Sequence, residues 1–449
     1  MNFLKLSNVS QALNSLRDQA VSGLNTPLYR NGYALMLSSA TTSALGLLYW
    51  ALAARSYNPV ALGLNTAAIS AVIFLAGVSQ LSLNGVLLRF ISQADRMTHR
   101  LVGVSYGISA LLAIPACLIF FFGLDWWAPS LHSFLNDPWK LVFFILATIT
   151  WSIFVLQDSA FAGLRQAIWV PLENTFFALA KIGLLILFIE LIPQYGIFAS
   201  WVIPVILTLL PVNLYIFTRL IPRHIVISQN TQTSLQLRQV LEYIGGNYLG
   251  SLFFLAYTTL IPILVTEVSG PAANAHFFLP WTIISSLQLV SINMTMSLTV
   301  EASREQDKAE VYGRRVLLHV FKILGPIVLI ILLGAPYIMR IFGEEYAVEG
   351  TTLLRILALG LLPHMLISLA ISLARVKNQP RIIFITQATL CVLVLGSSYL
   401  LLPDLGINGV GIAWTASYTI VAFVLLVTQL RNLLIPKALT QDSALDARL

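Results

Sequence analysis

The chain of 449 residues is 57% hydrophobic and only 10% charged, with a mean hydropathy of +0.83. Soluble domains run roughly 45–50% apolar and about 25% charged, so a soluble enzyme, a disordered chain and a nucleic-acid module are excluded together. The net charge of +7 invites a polyanionic partner, but its placement along the chain has a membrane explanation.

Residues 1–30 come first, as a cytoplasmic amphipathic segment. Leu6, Val9, Leu13, Leu16 and Ala20 recur at helical spacing, which suits a helix lying on the inner leaflet. The segment lacks the compact apolar core and cleavage site of a secretory signal. A bilayer-crossing helix needs roughly 20 mostly apolar residues, and the chain holds about twelve such runs. The first six are 31–54, 62–88, 101–123, 139–160, 171–192 and 197–218, with a bend expected near Asn84-Gly85 in the second. A polar stretch over 219–243 separates them from runs at 244–267, 275–299, 316–340, 351–374, 381–402 and 407–430. Residues 431–449 form a cytoplasmic tail. Breaks fall at turn residues such as Asn58-Pro59, Gly270-Pro271 and Pro403-Asp404. The domain plan is therefore a first half over 31–218, a central cytoplasmic loop over 219–243 and a second half over 244–430. Six is even, so both halves enter the membrane from one side, as parallel transporter repeats do.

Charge orients the spans. With the N-terminus inside, 20 of the 26 Lys and Arg residues fall on the cytoplasmic side and four (Arg55, Lys140, Arg340, Arg355) on the outer side. The positive-inside rule then puts both termini in the cytoplasm. Trp50, Trp126, Trp127, Trp139, Trp201, Trp281 and Trp414 lie near outer span ends, as an interfacial belt requires. Cys117 and Cys391 both sit inside apolar runs, so neither a disulfide framework nor a zinc site is expected, and no cofactor.

Outer loops are short, and Asp125, His132 and Asp137 in the longest have no catalytic spacing. No P-loop, Rossmann glycine pattern, zinc-protease helix or nucleophile elbow occurs, so no enzyme is expected. Ionisable residues inside spans are costly and mark candidate functional sites. Lys181 stands out: it lies about 13 Å into the fifth span, close to the midplane, where snorkelling is poor. It is read either as a cationic site in a central cavity or as half of a packing pair with a carboxylate, Glu173 being two turns earlier. His364, next to Pro363, is also deep. Lys322, one turn from His319, and Arg355 are nearer span ends. Asp158 sits near an inner span end, where pairing with Arg165 would be unremarkable.

Several segments then point to a family. They are Ala44–Arg55, Leu83-Asn84-Gly85-Val86-Leu87-Leu88-Arg89-Phe90, Leu156-Gln157-Asp158 with Gly163-Leu164-Arg165, Trp169–Asn174, Ile341–Tyr346 and Gly406–Trp414. Together they resemble bacterial oligosaccharide flippases of the polysaccharide-biosynthesis family, within the multidrug/oligosaccharidyl-lipid/polysaccharide (MOP) exporter superfamily. The resemblance covers nearly the whole chain. It implies an all-α polytopic fold with two six-helix lobes around a central cavity that opens alternately to either side. It also implies a multi-pass protein of the bacterial plasma (inner) membrane that moves polyprenyl-pyrophosphate-linked oligosaccharide from the inner to the outer leaflet for surface polysaccharide synthesis. The partners implied are that lipid-linked oligosaccharide, the lipid bilayer and polysaccharide polymerase machinery, with no nucleic acid. The alternative is a cation-coupled exporter of small amphiphiles on the same fold. Residues 31–54 contain no acidic residue, which counts against the toxin-extrusion branch. Lys181, Glu173, His364, Arg355 and Lys322 are the candidate cavity residues.

Overall fold

The structure is a computed structural model that describes residues 27–228, 237–302 and 309–431. The amphipathic segment therefore lies outside the described residues except for 27–30, which open the first helix. The tail beyond Arg431 and residues 229–236 of the central loop also lie outside.

The first half contains α1 (Pro27–Ser56), α2 (Pro59–Gln80), α3 (Leu83–Ala94), α4 (Thr98–Phe122), α5 (Leu124–Trp127), α6 (Pro129–Leu135), α7 (Pro138–Gly163), α8 (Trp169–Leu191), α9 (Gly196–Tyr215) and α10 (Ile221–Ser228). The second contains α11 (Leu237–Thr259), α12 (Ile261–Ser269), α13 (Pro271–Ala302), α14 (Ala309–Arg340), α15 (Glu344–Leu359), α16 (Leu361–Val376) and α17 (Pro380–Thr428). Turn chemistry sets the starts. Asn58 caps α2 by accepting from the Ala61 amide at 2.7 Å, with Pro59 in the first turn, and Asp137 with Pro138 does the same for α7.

Among the described residues, nine helices are long and apolar enough to cross a bilayer. The pair α15 and α16, bent by 40°, makes ten when taken as one span. Helix α17 is two crossings. Gly406 breaks it with φ 55°, and the chain folds back so tightly that a Cβ on Gly409 would meet the Leu401 carbonyl. With the thirty residues of α1, long enough to cross as well, the expected twelve are reached.

One boundary differs from expectation. The second span ends at Gln80, not near residue 88, because Leu81 and Ser82 both adopt positive φ (48° and 60°) and stop the helix. Residues 83–94 form a separate, amphipathic helix. Leu83, Val86, Leu87, Phe90 and Ile91 are buried on one face of α3, while Asn84 and Arg89 are exposed. The outer segment 124–138 also has more order than a solvated loop. Leu124, Leu131, Phe134 and Leu135 are buried there, and His132 Nδ1 lies 2.5 Å from Asp125.

Two lobes result. In the first, α2 packs against α4, α7 and α9; in the second, α13 packs against α14, α15 and α16. Between lobes, α13 meets both α1 and α2, and α2 meets α11 and α12. First span on eighth, second on seventh, and second on eighth is the set that a twofold axis between the lobes generates. Buried polar groups fix the helices where apolar packing alone would let them slide. Asn65, fully buried in α2, donates to the carbonyls of Ala61 and Gln194 (2.7 Å each) and accepts from the Phe198 amide at 2.8 Å. Asn65→Leu strands the Gln194 carbonyl and the Phe198 amide, so a loss of about 2–4 kcal/mol is expected. It would be read as a lowered melting temperature in detergent, with Asn65→Asp not restoring it because the donors to the two carbonyls are lost.

Candidate functional site

The lobes touch closely at one face and part at the other. Near the N-termini of α2 and α13, Gly63 lets the two backbones meet: a Cβ there would overlap the Pro271 carbonyl oxygen. Asn274, fully buried, donates from Nδ2 to the Gly63 carbonyl (2.8 Å) and to Thr66 Oγ1 (3.1 Å). Trp50 packs edge-on against Phe278 at 4.7 Å, and Arg55 Nε of the first lobe donates to the Ile341 carbonyl of the second at 2.8 Å. This seam belongs to the face that the charge distribution assigns to the outside.

At the opposite, basic face the lobes separate around a two-chamber cavity. The deeper chamber, about 400 Å³, lies between the end of α2 and helices α11, α13, α16 and α17. Its polar floor is a relay in which Tyr418 donates to the Tyr257 hydroxyl and Tyr257 to Gln387 Oε1, both at 3.1 Å. His364 is buried and stacks on Tyr418 at 5.7 Å. Leu255, Ile292, Ile367 and Ile383 supply apolar wall. The outer chamber, about 910 Å³, opens between α3 and the facing ends of α11, α16 and α17. Asn84, Gln93, Gln239, Asn247, Asn378 and Gln379 line it with amides, and Arg89 and Arg375 add two cations from opposite lobes. Among the described lining residues of both chambers Glu242 is the one carboxylate, and Arg238 holds it at 2.8 Å. Groups of three or more His, Cys, Asp or Glu able to hold a metal are absent among the described residues.

The sequence candidates scatter relative to this cavity. Only His364 lines it. Lys181 is buried inside the first lobe, where its Nζ lies 4.7 Å from the ring centre of Tyr49 and 5.1 Å from that of Phe177. Tyr49 is itself held by a bond from its hydroxyl to the Ile197 carbonyl at 3.0 Å. Among the described residues no carboxylate comes within 4 Å of this ammonium, and the negative faces of two rings take the place of the expected counter-charge. Glu173, the expected partner, is buried near Asp158 and Tyr106 instead, and neither of its oxygens finds a hydrogen bond. Asp158 accepts from Asn174 Nδ2 at 3.4 Å rather than pairing with Arg165. Arg355 donates to the Leu332 carbonyl at 2.9 Å, and Lys322 is exposed on α14; neither reaches the cavity.

A π face attracts a cation and repels an anion, which gives Lys181 a clear signature. Lys181→Met should leave the melting temperature near that of the wild type, because lost cation–π attraction of up to ~2 kcal/mol is offset by relief of desolvation. Lys181→Glu should destabilise by about 2–4 kcal/mol, since a carboxylate has no partner there. Equal tolerance of Met and Glu would contradict this placement.

The cavity residues that sequence reasoning missed are Arg89 and Arg375, counted only as topology charges, and the amides around them. They are spread over α3, α11, the end of α16 and the turn after it, and no sequence motif links them.

No protein-family model matches the chain, and no curated protein is similar to it. Solved structures are similar over nearly the full length. One is the inward-facing conformation of a multidrug resistance MATE family transporter of the MOP superfamily, at 16% identity and TM-score 0.67, covering 88% of this chain and 94% of that one. The outward-facing conformation of such a transporter gives 16% identity and TM-score 0.65, covering 91% and 95%. A MOP superfamily transporter from Pyrococcus furiosus, described as having a binding pocket of reverse polarity that suggests a different function, gives 16% and 0.64, covering 91% and 96%. The chain has their fold.

Proposed function

We propose that this chain, which has the fold of the MOP-superfamily transporters, is an alternating-access transporter resting open to its basic face. Its cargo, on this proposal, is polyprenyl-pyrophosphate-linked oligosaccharide, carried from the inner to the outer leaflet of a bacterial plasma membrane. The observation that carries the reading is the cavity: closed at one end by the Gly63–Asn274 seam, open at the other, and walled by amides and two arginines, with the one carboxylate among its described lining residues already engaged. Amides suit sugar hydroxyls, arginines suit phosphate, and the apolar wall of the deeper chamber suits a hydrocarbon chain. Both termini would then be cytoplasmic, and the machinery that polymerises the oligosaccharide would be the downstream partner.

A second reading, a cation-coupled exporter of small amphiphiles, is supported by the descriptions of the multidrug-resistance relatives and by the buried Asp158–Glu173 pair in the first lobe. A gene deletion separates the two. The first reading expects loss of a surface polysaccharide with its lipid-linked precursor retained in the cytoplasmic leaflet. Intact polysaccharide together with hypersensitivity to cationic dyes would favour the second. A purified protein that extended glycans unaided would overturn both.

A further inference from the structure

A second concentration of positive charge lies on the basic face of the first lobe, outside the cavity. Arg96 sits in the turn between α3 and α4. His99 and Arg100 follow in the first turn of α4, the positive end of that helix, and no acidic residue shares the turn. Arg219 lies in a π-helical turn over Ile216–Leu220, and Arg223 lies on α10. Pro222 accounts for the turn: it has no N–H to donate and its ring crowds the residue four back. The helix widens, and the Ile221 N–H reaches back five residues to the Ile216 carbonyl. The two segments are fastened together. His224 on α10 donates from Nε2 to the Ile91 carbonyl of α3 at 3.2 Å, and His99 meets Phe217 edge-on at 5.0 Å. All four arginines are exposed, and among the described residues none has a carboxylate within 4 Å. Asp95, beside Arg96, is the one acid on either segment, while Asp158 and Glu173 sit inside the lobe beside Tyr106.

Apolar surface continues directly from these cations. Gly103, Val104, Gly107, Ile108 and Leu111 are exposed on the face of α4 that starts at Arg100. From Arg100 to Leu111 the helix rises about 16 Å, which matches one leaflet of a ~30 Å hydrocarbon core. Leu207, Leu210 and Leu214 are likewise exposed on α9. Helices α4 and α9 each pack on α7 without packing extensively on each other. We propose that Arg96, Arg100, Arg219 and Arg223 form a headgroup site for an anionic phospholipid of the leaflet at the basic face, with its acyl chains along α4. Its phosphate accepts from both segments, relieves the repulsion among four like charges and braces the α3–α4 turn against α10. None of the four arginines lines the cavity, so the site is independent of the cargo.

The test uses the full-length protein, delipidated and monodisperse in detergent, with phosphatidylglycerol and phosphatidylethanolamine of identical acyl chains and with glycerol 3-phosphate. Phosphatidylglycerol should bind at least tenfold more tightly than phosphatidylethanolamine and raise the melting temperature. The paired substitutions Arg96→Gln with Arg100→Gln, and Arg219→Gln with Arg223→Gln, should each weaken phosphatidylglycerol at least tenfold, which is 1.4 kcal/mol. Arg314→Gln with Arg315→Gln removes two exposed cations from α14 in the other lobe and should leave the affinity unchanged. A second measurement needs no substitution: phosphatidylglycerol, and not phosphatidylethanolamine, should protect the four arginines of the wild-type protein from phenylglyoxal, as read by peptide mass spectrometry. Equal loss of affinity in the α14 pair would reduce the effect to overall charge and overturn the site. Competition by glycerol 3-phosphate at the affinity of the intact lipid would mark a free-phosphate site and overturn the lipid assignment. Wild-type affinity in both folded paired variants, or no protection of these arginines, would overturn the proposal outright. Loss of transport in the deletion strain, or its absence, bears on the cargo alone and leaves this site unaffected.

Discussion

Thr66→Cys with Asn274→Cys, joined by oxidation or a short bis-thiol reagent, should abolish transport, and a reductant should restore it. The two native side chains approach to 3.1 Å across the seam between α2 and α13, so the introduced thiols face each other in the resting state. Cys117 and Cys391 are both buried and can be replaced by alanine beforehand to keep the chemistry at the seam. On the transport proposal, a covalent bridge there holds the lobes together at the face that parts when cargo leaves. Each single cysteine should transport nearly as well as the wild type. Transport at the wild-type rate by the fully bridged protein would mean that the seam never opens.

The second large effect is expected at Gly63. Alanine for glycine inside a helix normally gains about 1 kcal/mol. Here the added carbon would overlap the Pro271 carbonyl, which is backbone and cannot rotate aside. Overpacking of that kind costs about 1–3 kcal/mol, so the clash wins over the propensity gain and acts only while the seam is closed. Gly63→Ala should therefore shift the population toward the parted seam by roughly tenfold, and Gly63→Val by more. Labelling of a cysteine at Thr66 by a membrane-impermeant maleimide should speed up accordingly. Unchanged labelling in a folded Gly63→Val protein would show that α2 and α13 do not meet as described.

The spans were legible because a bilayer demands long apolar runs, and because Asn58-Pro59, Asp137-Pro138 and Gly270-Pro271 start helices for reasons visible in the residues themselves. The end of the second span was not. Leu81 and Ser82 take positive φ, which neither residue type announces, whereas the neighbouring Asn84-Gly85 carries the conventional turn signal and stays helical. Depth in its span singled out Lys181 as a cavity cation or half of a carboxylate pair; it is buried inside the first lobe against aromatic faces with no formal charge, and a search for carboxylates passes over Tyr49 and Phe177. The cavity was the least legible part. Asn84, Asn247, Arg375 and Gln387 are far apart in sequence, and only the packing of α3, α11, α16 and α17 brings them to one cavity. Arg89 and Arg375 obeyed the positive-inside rule, which concealed any second role.

Alternating access itself is tested most directly by single cysteines at Asn247, in the open chamber, and at Asn274, in the closed seam, probed with a membrane-impermeant thiol reagent from each side in turn. At rest, Asn247→Cys should react only from the basic face, proposed to be cytoplasmic, and Asn274→Cys from neither. During transport, Asn274→Cys should become reactive from the outside while the rate at Asn247→Cys falls in step. Simultaneous labelling of Asn247→Cys from the inside and Asn274→Cys from the outside at rest, each at its full rate, would describe a channel and contradict the account.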